Sequence, residues 1–265
     1  MRNKMTLKRL AALLLVGLLV LLTSGCGNKE SAYNKALAVF AEGDYAQAAT
    51  AFARLGDYLQ AETYAAYSQG LTYYNQCDYA AAEPYFEQTR GFMYGNQRYS
   101  FCHAYVLETS ESFAEAAEWY LALGEFEDAP SRAAYCQARV AVEAGDYEAA
   151  LVKYAEAGGY RDAEERLDKL NFEIYERASA LLDAREYEQA FLLFTLLGDR
   201  YNAGEYARTA KNYLQEQEYL RAEQLIKDGD LQGAYDIFHA MEGFRDAATR
   251  AEELGAQLGI DGTAQ

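Results

Sequence analysis

The chain has 265 residues, of which 24 are basic and 41 acidic, so its formal net charge is −17. This charge argues against binding of nucleic acid, which depends on Lys and Arg neutralising phosphates, and against an anionic membrane surface as the ligand. A basic partner segment is favoured, or the charge keeps an extended chain soluble. Two prolines, 51% apolar residues and no alternating strand pattern indicate an all-α protein.

The first 25 residues have the pattern of a signal peptide. Four basic residues (Arg2, Lys4, Lys8 and Arg9) precede an apolar stretch over residues 10–22. This stretch is too short for a transmembrane helix, which needs about 20 apolar residues. Residues 1–25 are therefore excluded from the fold prediction.

The end of this segment, Leu22-Thr23-Ser24-Gly25-Cys26, resembles the lipobox of bacterial lipoproteins. The resemblance implies cleavage before Cys26, diacylglycerol on its sulfur, and a location on the extracytoplasmic face of the cell membrane. Thr23 departs from the commonest lipobox, which has Leu there. An ordinary signal peptide or a short uncleaved anchor is the alternative. Residues 26–30 would form a lipidated tether of about 17 Å at most before helical patterning begins at Ser31.

A repeat follows the tether. Six aromatic or large apolar anchor residues recur at intervals of 34, 34, 34, 40 and 44 residues: Tyr45, Tyr79, Phe113, Tyr147, Tyr187 and Leu231. Alanine stands three residues after each anchor: Ala48, Ala82, Ala116, Ala150, Ala190 and Ala234. An aromatic residue stands seven after it: Phe52, Phe86, Tyr120, Tyr154, Phe194 and Phe238. Offsets of 3 and 7 fall on one helical face, which predicts a packed second helix in each repeat.

Small residues and turns complete each repeat. Nine residues before the anchors stand Ala36, Gly70, Ala104, Ala138, Ala178 and Ala222. Pairs such as Gly43-Asp44 and Gly145-Asp146 predict a left-handed helix end followed by an Asp cap, and Asp78 and Asp230 occupy the same cap position. A second turn precedes Ala61, Gly95, Ala129, Ala163, Ala203 and Ala247, which open the next first helix.

These positions resemble the tetratricopeptide repeat (TPR) family over residues 31 to about 247, and the 34-residue interval is that of its helix–turn–helix unit. The resemblance implies an all-α, right-handed α-α superhelix (solenoid) of about six TPR-like repeats plus a C-terminal capping helix. The proline that usually ends the family's unit is replaced by a Gly-x-aromatic turn, as in divergent repeats of Gram-positive lipoproteins. The expected repeat domain covers 31–258, with units near 31–58, 59–92, 93–126, 127–160, 161–200 and 201–244, a cap at 245–258 and a disordered tail at 259–265.

The two longer intervals contain helix-like insertions around residues 161–172 and 201–216. They predict that the fifth and sixth first helices are extended at their N-terminal ends. A break in the regular geometry is expected near residues 160–220.

An aromatic residue also stands twelve positions before each anchor: Tyr33, Tyr67, Phe101, Tyr135, Tyr175 and Tyr219. By the family pattern this position lines the concave groove that binds peptides. Its expected neighbours there are Tyr64, Tyr74, Arg98, Tyr105, Arg132 and Arg139. Aromatic residues and Arg recur at binding hot spots. The alternative is that the six rings pack between successive first helices.

The sequence favours no catalytic or metal site. The histidines are His103 and His239, in distant repeats, and no phosphate-binding loop or nucleophile motif occurs. No cofactor is expected. Cys102 and Cys136 occupy equivalent positions in neighbouring repeats, about 8–10 Å apart, which is too far for a disulfide, and are expected to be buried thiols.

The prediction is therefore a non-enzymatic scaffold or adaptor at the cell envelope, which binds a protein or peptide partner, with a basic partner favoured by the charge of the chain. The main alternative is a glycan-binding lipoprotein that uses a Tyr-lined groove. A hydrolase that uses surface carboxylates is the weakest interpretation.

Overall fold

The computed structural model of the protein describes residues 28–241 and 243–260, and no β-strand occurs in these two stretches. The expected signal peptide, Cys26 and the tail from residue 261 lie outside the described residues. The described part contains thirteen α-helices: α1 (28–41), α2 (Tyr45–Ala53), α3 (Ala61–Asn75), α4 (Tyr79–Gln88), α5 (Gly95–Thr109), α6 (Phe113–Ala122), α7 (Ala129–Ala144), α8 (Tyr147–Ala157), α9 (Ala163–Asp183), α10 (Tyr187–Leu197), α11 (Ala203–Asp228), α12 (Leu231–Ala240) and α13 (Ala247–Leu258). The all-α prediction is confirmed.

The helices divide into two compact units. Unit 1 contains the described residues up to Ala144 together with Glu156–Tyr160, and unit 2 contains Gly145–Ala155 and the residues from Arg161 onward. Within unit 1, consecutive helices from α2 to α7 pack against one another, and within unit 2 the same holds from α9 to α13. This packing on chain neighbours is consistent with a helical repeat.

The recurrent small and aromatic positions form the core. All six alanines three residues after the anchors have no exposed surface, and the six rings seven residues after the anchors are at most 2% exposed. The small residues nine before the anchors are also buried. Alanine at these contacts lets two helices approach closely, and each ring fills the space beyond. The predicted packing of the second helices is confirmed.

The first turn of each repeat contains one residue with a left-handed backbone. The six residues are Gly43, Cys77, Glu111, Gly145, Arg185 and Gly229. The following Asp caps the next helix in four repeats. Asp44 accepts from the Gln47 amide and Asp78 from the Ala81 amide, each at 3.0–3.1 Å. Asp146 and Asp230 cap α8 and α12 in the same way, as predicted.

Gly95 shows why one repeat departs from alanine at the start of its first helix. A Cβ at this position would lie 2.2 Å from the carbonyl oxygen of Thr89. That distance is far inside van der Waals contact, so alanine would force the turn to move. The close approach of the backbone accounts for glycine here.

The two longer intervals are absorbed by longer helices. α9 has 21 residues and α11 has 26, whereas α3 and α5 each have 15. A short 3₁₀ turn over Arg200–Asn202 precedes α11. The predicted extension of the fifth and sixth first helices is confirmed.

Candidate functional site

The six rings twelve residues before the anchors fall into two groups. Tyr33, Tyr67, Phe101 and Tyr135 are 8%, 2%, 0% and 1% exposed. Tyr175 and Tyr219, in unit 2, are half-buried. The burial of the first four is what the packing alternative expects, because a buried ring has no free face for a ligand.

The contacts of Tyr67 explain this recurrence. Its ring lies 6.3 Å from Phe40 in α1, 5.7 Å from Phe86 in α4 and 5.3 Å from Phe92 in the following turn. Phe101 lies within 6 Å of Tyr74, Tyr79 and Tyr120 in the same way. One ring in each of these repeats therefore joins a first helix to the helices before and after it.

Arg132 lies at the centre of a second cluster in unit 1. Its Nε donates to Asp128 at 2.9 Å, and its Nη1 donates to the Tyr160 hydroxyl at 2.8 Å. Five rings surround its guanidinium, with centroids 4.8–5.9 Å away: Tyr79, Phe101, Tyr105, Tyr120 and Tyr160. Because the side chain is only 9% exposed, these cation–π contacts act in a partly desolvated environment.

Glu108 supplies the opposite charge. Its residue is 1% exposed, and its carboxylate accepts hydrogen bonds from Tyr120 at 3.0 Å and from Tyr160 at 2.8 Å. The closest Arg132 nitrogen lies 3.6 Å from it. We call Glu108, Tyr120, Arg132 and Tyr160 the buried polar cluster.

The protonation states of this cluster follow from its surroundings. Burial raises the pKa of Tyr120, and the nearby Glu108 raises it further, so this hydroxyl stays protonated and donates. For Arg132, burial opposes the charged form, but the Asp128 hydrogen bond and the tyrosines hold the pKa above its usual value. The cluster is thus a fixed, charge-compensated network that ties helices together.

Several other residues that were predicted to line the groove in repeats 2–4 lie beside the buried rings and are partly exposed. Arg98 lies over Tyr67, Tyr74 and Tyr94 at 5.5–5.9 Å and donates to the Tyr67 hydroxyl at 2.8 Å. Arg139 lies 4.2 Å above Phe113. The half-buried members of the predicted set in unit 1 are Tyr64, Arg98, Tyr105 and Arg139. For these residues, binding stays a prediction.

Tyr175 and Tyr219 belong to unit 2. The Tyr175 ring lies 5.2 Å from Tyr201, and the Tyr219 hydroxyl donates to Asp246 at 2.7 Å. This hydrogen bond lowers the pKa of Asp246 below its usual value. Both rings have local partners and also keep some exposed surface.

Unit 1 also has a set of exposed apolar residues that was not predicted from the sequence. Leu59, Met93 and Tyr94 are 69%, 50% and 60% exposed. Leu59 and Met93 stand in consecutive second turns, and both have positive φ, 51° and 46°. We call these three residues the turn ridge. The 34-residue interval between Leu59 and Met93, at a turn position where later repeats have Glu127 and Arg161, is the sequence signal that could have revealed it.

Other features of the described residues are unremarkable. They contain no group of three His, Cys, Asp or Glu residues suited to a metal ion. None of their helices combines the length and apolarity that crossing a bilayer requires. Cys102 and Cys136 are buried as predicted, and burial raises the pKa of Cys102.

Comparison with known proteins gives no assignment. No family model matches the chain, and a search of curated proteins finds no significant match.

Proposed function

We propose that the protein is a lipid-anchored, non-catalytic scaffold that binds a protein or peptide on the extracytoplasmic face of a bacterial cell membrane. Its TPR-like repeats would form a right-handed superhelix closed by α13. Anchoring would occur through acylated Cys26. Stable membrane attachment needs two or more acyl chains, and the diacylglycerol expected on the Cys26 sulfur would supply them.

The observation that carries the binding proposal is the turn ridge. Leu59 and Met93 combine a left-handed backbone, which is costly for residues other than glycine, with side chains that are mostly exposed. The exposed apolar surface of these side chains does not stabilise the isolated chain. The left-handed backbone also occurs at Glu127, Arg161, Tyr201 and Arg245, the equivalent residues of the other second turns, so it belongs to the turn and not to the ridge alone. What supports the proposal is the pair of exposed apolar side chains at equivalent positions, which is typical of a surface kept for a partner.

The ridge also fits a protein partner better than a sugar. Leu59 and Met93 offer flexible aliphatic contact area, and Met is frequent in surfaces that bind peptides. Tyr94, the residue that follows Met93 in the chain, adds an exposed aromatic ring. The four buried rings of the predicted groove, in contrast, have no open faces on which a sugar could stack. The glycan alternative depends on the half-buried tyrosines alone.

Purification from detergent-solubilised membranes tests this proposal. The expected result is a stoichiometric protein partner that is lost in a Leu59→Asp/Met93→Asp variant. The matched control is Leu121→Asp/Val142→Asp, which alters two other exposed apolar residues of unit 1. Partner-free protein that is retained on glycan arrays through Tyr64 or Tyr105 would contradict the proposal. Equal loss of the partner in both variants would contradict the assignment to the ridge.

A further inference from the structure

The first repeat has an open apolar groove between α1 and α2. The groove has a volume of about 450 Å³. Its floor is formed by Ala32, Ala36, Val39, Ala51 and Leu55. Three of these side chains (Ala32, Val39 and Ala51) are only half-buried, so the groove presents apolar surface to its surroundings.

The rim of this groove is cationic. Lys29, Lys35 and Arg54 line it, and all three are exposed. Long basic side chains can lay their aliphatic stems along apolar surface while their charged ends reach outward. The groove therefore combines an apolar floor with three positive charges at its edge.

This arrangement contrasts with the rest of the chain. Residues 28–56 contain three basic and three acidic residues and are neutral. Residues 57–265 contain 17 basic and 38 acidic residues, a net charge of −21. The excess negative charge of the chain thus lies after residue 56.

We propose that the groove docks on anionic phospholipid headgroups of the membrane to which the protein is anchored. Lys29, Lys35 and Arg54 would contact lipid phosphates, and the apolar floor would rest on the adjoining glycerol and upper acyl region. The inference depends on the proposed anchoring at Cys26, which lies two residues before the first described helix. The net charge of the whole chain disfavours an anionic surface, but residues 28–56, which are neutral and carry the cationic rim, meet little of that repulsion.

The charge distribution would also set the orientation of the docked chain on the membrane. Attraction between basic residues and anionic lipid acts within about 10 Å of the membrane, where the first repeat would lie. The acidic remainder of the chain would be repelled beyond that distance. Docking would therefore hold the N-terminal repeat at the headgroups and direct the acidic repeats outward.

Site-specific fluorescence on the full lipidated chain tests the docking. An environment-sensitive probe is attached at Gln47→Cys on the groove, in a Cys77→Ser background that removes the exposed thiol of the described residues. Vesicles contain a nitroxide-labelled lipid and either phosphatidylglycerol with phosphatidylcholine or phosphatidylcholine alone. The expected result is strong quenching with phosphatidylglycerol that weakens severalfold with phosphatidylcholine alone and at high salt. A probe at Asn212→Cys on α11 should not be quenched.

Charge reversal tests whether Lys35 and Arg54 are the residues that contact the anionic lipid. Lys35→Glu/Arg54→Glu should abolish the dependence on phosphatidylglycerol, whereas the control Lys169→Glu/Lys211→Glu, with the same charge change on exposed residues of unit 2, should keep it. Circular dichroism verifies that each variant is folded. Equal quenching in both variants, or in both kinds of vesicle, would overturn the proposal. So would a probe signal that depends on protein concentration without vesicles, which would indicate a second copy in the groove.

Flotation with the same vesicles separates this inference from the anchor. A chain that floats without quenching at Gln47→Cys is anchored but not docked, so docking fails and anchoring stands. If mass spectrometry shows that Cys26 carries no lipid, anchoring fails. Quenching by phosphatidylglycerol vesicles added at low salt would then still support docking, and its absence would overturn it.

Discussion

The Tyr160 hydroxyl donates a 2.8 Å hydrogen bond to the buried carboxylate of Glu108, 52 residues earlier in the chain. The same hydroxyl accepts from Arg132 at 2.8 Å. One tyrosine thus joins α5, α7 and the turn that follows α8. Because a buried carboxylate and a buried guanidinium are each costly without a partner, this contact makes several elements of unit 1 depend on one another.

Removal of the carboxylate should therefore weaken unit 1 strongly. Glu108→Ala leaves Arg132 with the exposed Asp128 as its counter-charge and removes the acceptor of the Tyr120 and Tyr160 hydroxyls, so it is expected to lower the free energy of unfolding by about 3 kcal/mol. Urea denaturation followed through Trp119, which lies in unit 1, measures the change. The exposed Glu115 provides the control, since Glu115→Ala should alter stability by about 0.5 kcal/mol or less. Similar effects of the two substitutions would show that the buried polar cluster is not stabilising.

The buried ring of Tyr67 should behave as a core ring. Tyr67→Ala and Phe86→Ala are each expected to cost about 3–5 kcal/mol, because both side chains are at most 2% exposed. Tyr64→Ala, at a half-buried ring, should cost clearly less. Equilibrium unfolding of the three variants provides the comparison. A loss of stability for Tyr67→Ala no larger than that for Tyr64→Ala would favour a groove position over packing.

Left-handed residues other than glycine offer a route to higher stability. Glu111 is exposed and has φ 64° at the position where Gly43 and Gly145 stand in other repeats. Glu111→Gly should stabilise the chain by about 1 kcal/mol, because the left-handed backbone costs about 1–2 kcal/mol for residues with a Cβ. The same change at Glu115, within α6, should destabilise by about 1 kcal/mol. Thermal or urea unfolding measures both, and destabilisation by Glu111→Gly would refute the strain.

The hydrogen bond between Tyr219 and Asp246 predicts a pH-dependent effect. It holds the pKa of Asp246 below its usual value, so its contribution to stability is present at neutral pH and is lost as pH falls through that lowered pKa. Tyr219→Phe should raise the pKa of Asp246, which carboxyl NMR titration can follow. The variant should be less stable than the parent near pH 7 and approach it in acid. An unchanged pKa would mean that the hydroxyl does not donate to Asp246.

Much of the fold could be predicted because neighbouring repeats impose the same contacts. An alanine and an aromatic residue stand at the positions of Ala82 and Phe86 in every repeat. Each second helix must fit a first helix on either side, so these contacts need side chains of the same size in each repeat. The extensions of α9 and α11 were visible as longer intervals between anchors.

The role of Tyr67 could not be settled from spacing. A ring at a fixed helix position faces either a groove or a neighbouring helix according to how the first helix is rotated about its axis, and both arrangements recur with the same period. The buried polar cluster was also hidden, since Glu108 has no counterpart in the repeat pattern. Leu59 and Met93 were missed because their left-handed turns carry no glycine at those positions.

In-cell photo-crosslinking tests the binding function most directly. A photo-reactive residue replaces Met93 on the turn ridge, and a second chain carries it at Val142, another exposed apolar position of unit 1. We expect Met93 to cross-link one discrete protein on the extracytoplasmic face of the membrane, and Val142 to give no such product. Absence of a protein cross-link from Met93, or the same products from both positions, would contradict a protein-binding scaffold that acts through the turn ridge.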